Sequence, residues 1–355
     1  MAQTVNRIDR GAKRIPSPCM EALLGFSSGF LPRTKDIVWA RFGLSGKRPK
    51  TLEAIGKEYG ITRERVRQIV VSAVSSVRGK RDDERFAKIA DRIRQTIDER
   101  GGIVSVDDLF SILARDSREE AGALSFFLHC LRSVRETKET EKRVRAYVTD
   151  AFHEGEWKRV HRIAEEVLSV SGRVMKEGEF FRAAEAAGVA VEQKRFFDAL
   201  SVSARIRKNP FGYWGFSNSD EISPRGTREK ARLVLKMNGK PMHFKAIAAA
   251  IDEAGLQKWG RTTHPQTVHN ELIKDRHFVL VGRGLYALVD WGYEKGTVRQ
   301  VISGILGKAK GPMTRDEIID AVLAVRTVKR STIVINLNSF FEKMGKGRYT
   351  VKVKA

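Results

Sequence analysis

The sequence predicts a mainly α-helical chain with small β-hairpins, in which one helix-turn-helix is followed by tandem winged-helix domains. Three observations predict it. A short stretch at residues 51–69 alternates capping residues, a turn glycine and apolar positions in helical register. From about residue 81 a block of helices ending in Gly- and aromatic-rich β-formers recurs four times. The third observation is charge: the 355 residues carry a net charge of +23, and it is unevenly placed.

The balance is +10 over residues 1–80, −1 over 81–150, +1 over 151–220, +5 over 221–293 and +8 over 294–355. A basic excess at both ends around a neutral middle points to a polyanion partner. Residues 1–20, with Pro16 and Pro18, read as a basic flexible arm. Met1–Arg14 is basic but leads into no apolar run, so it does not read as a secretory signal. No apolar stretch approaches the ~20 residues of a membrane span. Cys19 and Cys130, the two cysteines, make neither a disulfide framework nor a zinc site. The expectation is a soluble protein of a reducing cytoplasm, associated with the nucleoid and not with a membrane.

Residues 21–45 read as helical and lead into the helix-turn-helix, which closes a first domain at 21–80. Thr51 and Thr62 are placed to cap its two helices. Gly60 ends the first helix, and Gly56 is small enough to let the two cross closely. Leu52, Ile55, Ile61, Val66 and Ile69 form the inner face. At about 100° per residue, Arg63, Glu64, Arg67 and Gln68 share the outer side of the second helix. Arg and Gln can bond base edges in pairs, and Glu can accept from cytosine N4. These four are the candidate base-reading residues.

The four later blocks place their turns at Gly102, Gly172, Gly239 and Gly311, with spacings of 70, 67 and 72 residues. They define expected domains at 81–150, 151–220, 226–292 and 294–355. Each opens with a helix, turns at the glycine, continues with two helices and closes on a hairpin. Thr297 with Gln300, and Thr314 with Glu317, have capping-box spacing. Phe244, Ile247, Ala248 and Ile251 fall on one helical face. The last block is the most basic, and its hairpin tip offers Lys346 and Arg348 to phosphates.

Leu52-Glu53-Ala54-Ile55-Gly56 and Thr62-Arg63-Glu64-Arg65-Val66-Arg67-Gln68-Ile69, preceded by Arg41-Phe42-Gly43-Leu44, resemble region 4 of the sigma-70 family over about residues 30–80. The resemblance implies binding of double-stranded DNA at the upstream promoter hexamer and docking on bacterial RNA polymerase. It implies base contacts by Arg63, Glu64, Arg67 and Gln68. It sets Arg41, Thr51 and Leu52 against the phosphate backbone, where Thr62 is also expected. The chain then departs from the Lys- and Arg-rich continuation of that family with Val70-Val71-Ser72-Ala73-Val74-Ser75-Ser76-Val77, which puts Val71 and Val74 near the base-reading stripe. Residues 226–292 resemble the HARE-HTH domain, a winged helix found in the delta subunit of some bacterial RNA polymerases. The matching pieces are Asn238–Phe244, Thr263–Val268, Gly282–Leu288 and Trp291-Gly292.

No phosphate loop or nucleophile elbow occurs. His264 and His269, five apart, have no cysteine or carboxylate at metal spacing. Asp82-Asp83 and Asp107-Asp108 read as acidic helix starts. The expectation is therefore a non-enzyme, with no catalytic residue, metal or cofactor. The reading is a sequence-specific DNA-binding transcription protein, a sigma-like regulator of transcription initiation that reads promoter-type DNA through the helix-turn-helix. A second reading, an RNA polymerase-associated interaction scaffold with non-specific nucleic-acid binding, suits the neutral middle.

Overall fold

The computed structural model describes residues 18–351, apart from Asp116, residues 258–260 and 294–295, Lys310 and the side chain of Lys346. The expected basic arm falls, up to residue 17, outside the described residues. Those described up to Val167, with Phe181–Ile206, form one compact unit, and Leu168–Phe180 with those from Arg207 onward form a second.

The first unit starts with four helices: α1 (Pro18–Phe26), α2 (Pro32–Phe42), α3 (Leu52–Tyr59) and α4 (Arg63–Arg78). Then comes a helix-strand-helix-helix-strand-strand order that the chain uses four times. It runs through α5 (Glu84–Asp98), β1 (Ile103–Ser105), α6 (Val106–Ala114), α7 (Arg118–Cys130), β2 (Arg135–Thr137) and β3 (Ala146–Val148). It returns as α8 (Glu154–Ser171), β4 (Met175–Lys176), α9 (Glu177–Ala186), α10 (Gln193–Ser201), β5 (Ile206–Lys208) and β6 (Tyr213–Phe216). The third copy is α11 (Thr227–Asn238), β7 (Met242–His243), α12 (Phe244–Glu253), α13 (Pro265–Lys274), β8 (Phe278–Gly282) and β9 (Leu285–Leu288). The fourth is α14 (Val298–Lys308), β10 (Met313–Thr314), α15 (Arg315–Val325), α16 (Arg330–Phe340), β11 (Glu342–Met344) and β12 (Arg348–Thr350). In every copy the last strand lies between the first two. This is the tandem winged-helix arrangement that the sequence predicts.

Local chemistry sets many of the boundaries. Thr297 and Thr314 both form complete capping boxes, with Gln300 and Glu317 reaching back to the cap. Asp83 caps α5 and Ser105 caps α6. Ile247, Ala248 and Ile251 are buried with Val268, Leu272 and Tyr286 in the core of the third copy. His264 and His269 have packing and capping roles. His264 accepts from the Gln266 amide at the start of α13, and His269 bonds the Tyr286 hydroxyl at 3.0 Å.

In the first unit, one apolar core passes through residue 80. Leu23 and Phe26 of α1, Phe42 and Leu44, Val74 and Val77 of α4, Phe86 and Ile93 of α5, and Phe126 and Phe127 of α7 belong to it. Helix α7 is the centre of this assembly. It packs on α1, α2, α4 and α6, and Gly122, Ala123, Leu124, Phe126, Phe127, Leu128 and Cys130 are all buried. A methyl group at Gly122 would run into the Phe42 carbonyl. Glu120 is buried too, and its carboxylate accepts from the Cys19 and Met20 amides at 3.0 and 2.9 Å, closing the first turn of α1. On the far side of the same copy, α10 packs on β1 and the Trp157 indole donates to the Ala199 carbonyl at 2.9 Å.

Among the described residues, no helix is long and apolar enough to cross a membrane.

Candidate nucleic-acid interface

The candidate reading surface is the outer side of α4, and its orientation is fixed from beneath. Ile37 of α2, Ile55 of α3 and Val66 of α4 are fully buried together, with Leu52, Tyr59, Ile61 and Ile69 packed around them. Thr51 Oγ1 accepts from the Ala54 amide and Thr62 Oγ1 from the Arg65 amide, each at 3.1 Å. Gly60 ends α3 with φ +64°, a left-handed conformation that suits glycine, and its amide donates to the Gly56 carbonyl. Gly56 meets the turn closely: a Cβ there would lie 2.6 Å from the Ile61 carbonyl oxygen. The side-chain volume missing at Gly56 therefore sets the angle at which α4 leaves the turn.

On the opposite side Arg63, Glu64, Arg67 and Gln68 are all exposed. They are not four independent groups. Arg67 donates through Nε and Nη2 to both Glu64 oxygens, at 2.9 and 2.8 Å. This forked bond holds the Glu64 carboxyl below the usual carboxylate range and raises Arg67. Gln68 accepts from Arg65 at 3.2 Å, and among the described residues the Arg63 side chain makes no hydrogen bond. Arg65 is exposed beside Gln68, a position that the sequence reading leaves out.

The expected backbone contacts sit around this surface in different states. Thr51 and Thr62 are exposed, and each uses its oxygen as a cap while keeping a hydroxyl proton to donate. Leu52 opens α3 with a free first-turn amide. Arg41 is half-buried and gives one donor, Nη1, to the Lys50 carbonyl at 3.1 Å. Arg348 is exposed at the start of β12, and Lys346 lies in the 3-10 turn Gly345–Gly347, its side chain outside the described residues.

One expectation is corrected. Val74 does not border the reading stripe. It is buried with Ala73 and Val77 against the core that α7 fills, and the Cys130 thiol lies 3.7 Å from its carbonyl. Val71 stays half-exposed. The apolar continuation of α4 is thus an internal contact surface.

The family models agree with this geometry. The model "Sigma-70, region 4" matches residues 31–79. Residues 31–79 are a sigma-70 region 4 domain. A second model, HARE-HTH, named in part as a "restriction endonuclease HTH domain", matches residues 226–291, which are a HARE-HTH domain. Among curated proteins, the RNA polymerase sigma factor SigA of Clostridium acetobutylicum is 43% identical over 58 residues, 16% of this chain and 15% of that protein. SigA1 of Synechococcus elongatus is 45% identical over 58 residues, 16% of this chain and 14% of its own. The principal sigma factor HrdD of Streptomyces coelicolor is 41% identical over 59 residues, 17% and 18% of the two chains. The chain therefore spans less than a fifth of the length of these relatives. Both matched domains are DNA-binding helix-turn-helix modules.

The third helices of the winged-helix copies differ in a way that sequence reading missed. Helix α7 is buried within its own unit. In the HARE-HTH domain, α13 exposes Gln266, Thr267, Asn270 and Lys274, and Gln266 donates to Asn270 at 3.2 Å. The missing signal was amphipathicity: α7 carries buried residues on nearly every side, and α13 buries only Val268 and Leu272.

Proposed function

We propose that this chain is a sequence-specific regulator of transcription initiation, a sigma-like protein that reads promoter-type double-stranded DNA with α4. The observation that carries the proposal is the exposed row Arg63, Glu64, Arg67 and Gln68 on a helix held by a fully buried Ile37–Ile55–Val66 contact. In this reading Arg63 and Arg67 meet guanine edges, Gln68 meets adenine, and Glu64 either accepts from cytosine or holds Arg67 in place. Thr51, Thr62, the Leu52 amide and Arg41 fix the register on phosphates. Arg348 and Lys346 supply contacts that carry no sequence information. The exposed polar side of α13 is the natural second contact.

A partnership with RNA polymerase is part of the proposal and rests on the names of the sigma-factor relatives. Helix α7 packs on α2 and α4 of the region 4 domain, so a polymerase contact would use a surface that α7 leaves open. The scaffold reading keeps one specific support, the burial of the third helix in the copy that begins at α5.

The test is selection of bound sites from random duplexes by the full chain and by Arg63→Ala and Gln68→Ala. Each variant is expected to relax preference at one position, at about 1–3 kcal/mol of discrimination. An unchanged site profile in both would remove base reading by α4.

A further inference from the structure

Between the α2–α3 connection and α7 lies a groove of about 370 Å³, lined also by the end of α2 and by Phe110 of α6. Phe42, Pro49, Phe110 and Gly122 line its apolar part. Its charged lining is Arg41, Lys47, Arg48 and Arg118, and no carboxylate is among the lining residues. The neighbouring Glu119 is turned toward Gly46 and accepts from Ser117 at 3.2 Å. Elsewhere in this unit cations are commonly matched, as in Arg67 with Glu64, Arg85 with Asp83, Arg94 with Asp91 and Arg143 with Glu154. Among the described residues, the Lys47, Arg48 and Arg118 side chains make no hydrogen bond or ion pair, and all three are exposed.

We propose that this groove is a second seat for the phosphates of the duplex, contributed in part by a residue outside the region 4 domain. The inference rests on the α4 reading for the position of the duplex. Lys47–Pro49 of the groove precede Thr51 by two to four residues, and Arg41 of the same lining donates to the Lys50 carbonyl at 3.1 Å, which ties the groove to the start of α3. Charge complementarity selects the occupant: four cations without a carboxylate fit a phosphate strand. The seat is also stiff. Gly43 holds φ +71° where a Cβ would sit 2.5 Å from the Lys47 carbonyl, and Gly122 leaves no room above Phe42. A loop held in this way presents its cations with little ordering on binding.

The experiment measures binding of a labelled duplex by the full chain as salt rises. Each phosphate contact adds about 0.9 to the log–log salt slope, so a four-fold rise in salt costs about 3.5-fold in affinity per contact. Arg118→Gln and Arg48→Gln should each flatten the slope by about that amount and leave base preference unchanged, and Arg118→Lys should restore it. Circular dichroism of each variant verifies the helices. Unchanged slopes in both Gln variants overturn the proposal. If Arg63→Ala leaves preference intact while Arg118→Gln still flattens the slope, base reading fails and the phosphate seat stands. The reverse pattern keeps base reading and removes the seat. Binding of a polyglutamate peptide that Arg118→Gln abolishes, with the DNA slope unmoved, gives the groove to an acidic protein segment and also overturns it.

Discussion

Replacing Gly56 by alanine tests whether the crossing of α3 and α4 is set by an absent methyl group. The added Cβ would stand 2.6 Å from the Ile61 carbonyl oxygen and 3.5 Å from the Arg63 amide nitrogen. Ordinary carbon–oxygen contact is about 3.3 Å or more, so the turn must retreat by roughly 0.7 Å. Crowding of this kind costs about 1–3 kcal/mol, and alanine returns about 1 kcal/mol in helix propensity. The net expectation is a loss of up to ~2 kcal/mol in local stability. Gly307 provides the control, since it is helical and exposed and a Cβ there meets nothing within 4 Å. Gly307→Ala should gain about 0.5–1 kcal/mol. The two units make a single unfolding transition an unsafe measure, so amide hydrogen exchange along α3 and α4 is the suitable assay. Faster exchange in Gly56→Ala should accompany weaker binding of the selected duplex, because Arg63 follows the displaced turn by two residues. If Gly56→Ala slows exchange as the control does and binds normally, the crossing argument is wrong.

Three further expectations follow from individual side chains. Thr62→Ala removes the acceptor for the Arg65 amide and should cost about 1 kcal/mol, read from exchange in the first turn of α4. Cys19 and Cys130 are buried, and burial raises both thiols, Cys130 to about 12; neither should react with iodoacetamide at neutral pH until the unit unfolds. His161 is buried 2.8 Å from Ser203 Oγ, and its pKa is lowered by burial and by Lys142 against the opposing pull of Glu165. The folded unit therefore holds fewer protons than the unfolded chain just below pH ~6.5, and stability declines as pH falls through that window. Amide protection in α8 should fall from pH 7.5 to 5.5, and His161→Gln should lessen the fall.

Features governed by neighbours in sequence were legible before the structure. The caps at Thr51, Thr62, Thr297 and Thr314 depend on a side chain and an amide three residues away. The division of α4 into a Val66–Ile69 side and an Arg63–Gln68 side depends only on helical period. What escaped reading is decided between distant elements. Val74 looks the same in sequence whether it borders DNA or packs beneath α7. The Glu64–Arg67 fork was within reach of the sequence, since residues three apart on a helix adjoin. The sharing of one core by residues before and after 80 was not, because it depends on Phe126 and Phe127, about fifty residues downstream of α4. The basic groove was missed for a similar reason: Arg118 meets the Lys47–Pro49 segment only through the fold.

The position of α7 has a practical bearing on genetic screens. In a winged helix the third helix is the usual place to seek altered target choice. Here Leu124, Phe126 and Phe127 lie in the core, so loss-of-binding alleles at these buried positions of α7, unlike changes at exposed Arg118, should owe their defect to misfolding. Such alleles should be suppressible by low growth temperature, whereas alleles at Arg63 should be suppressible by a changed operator.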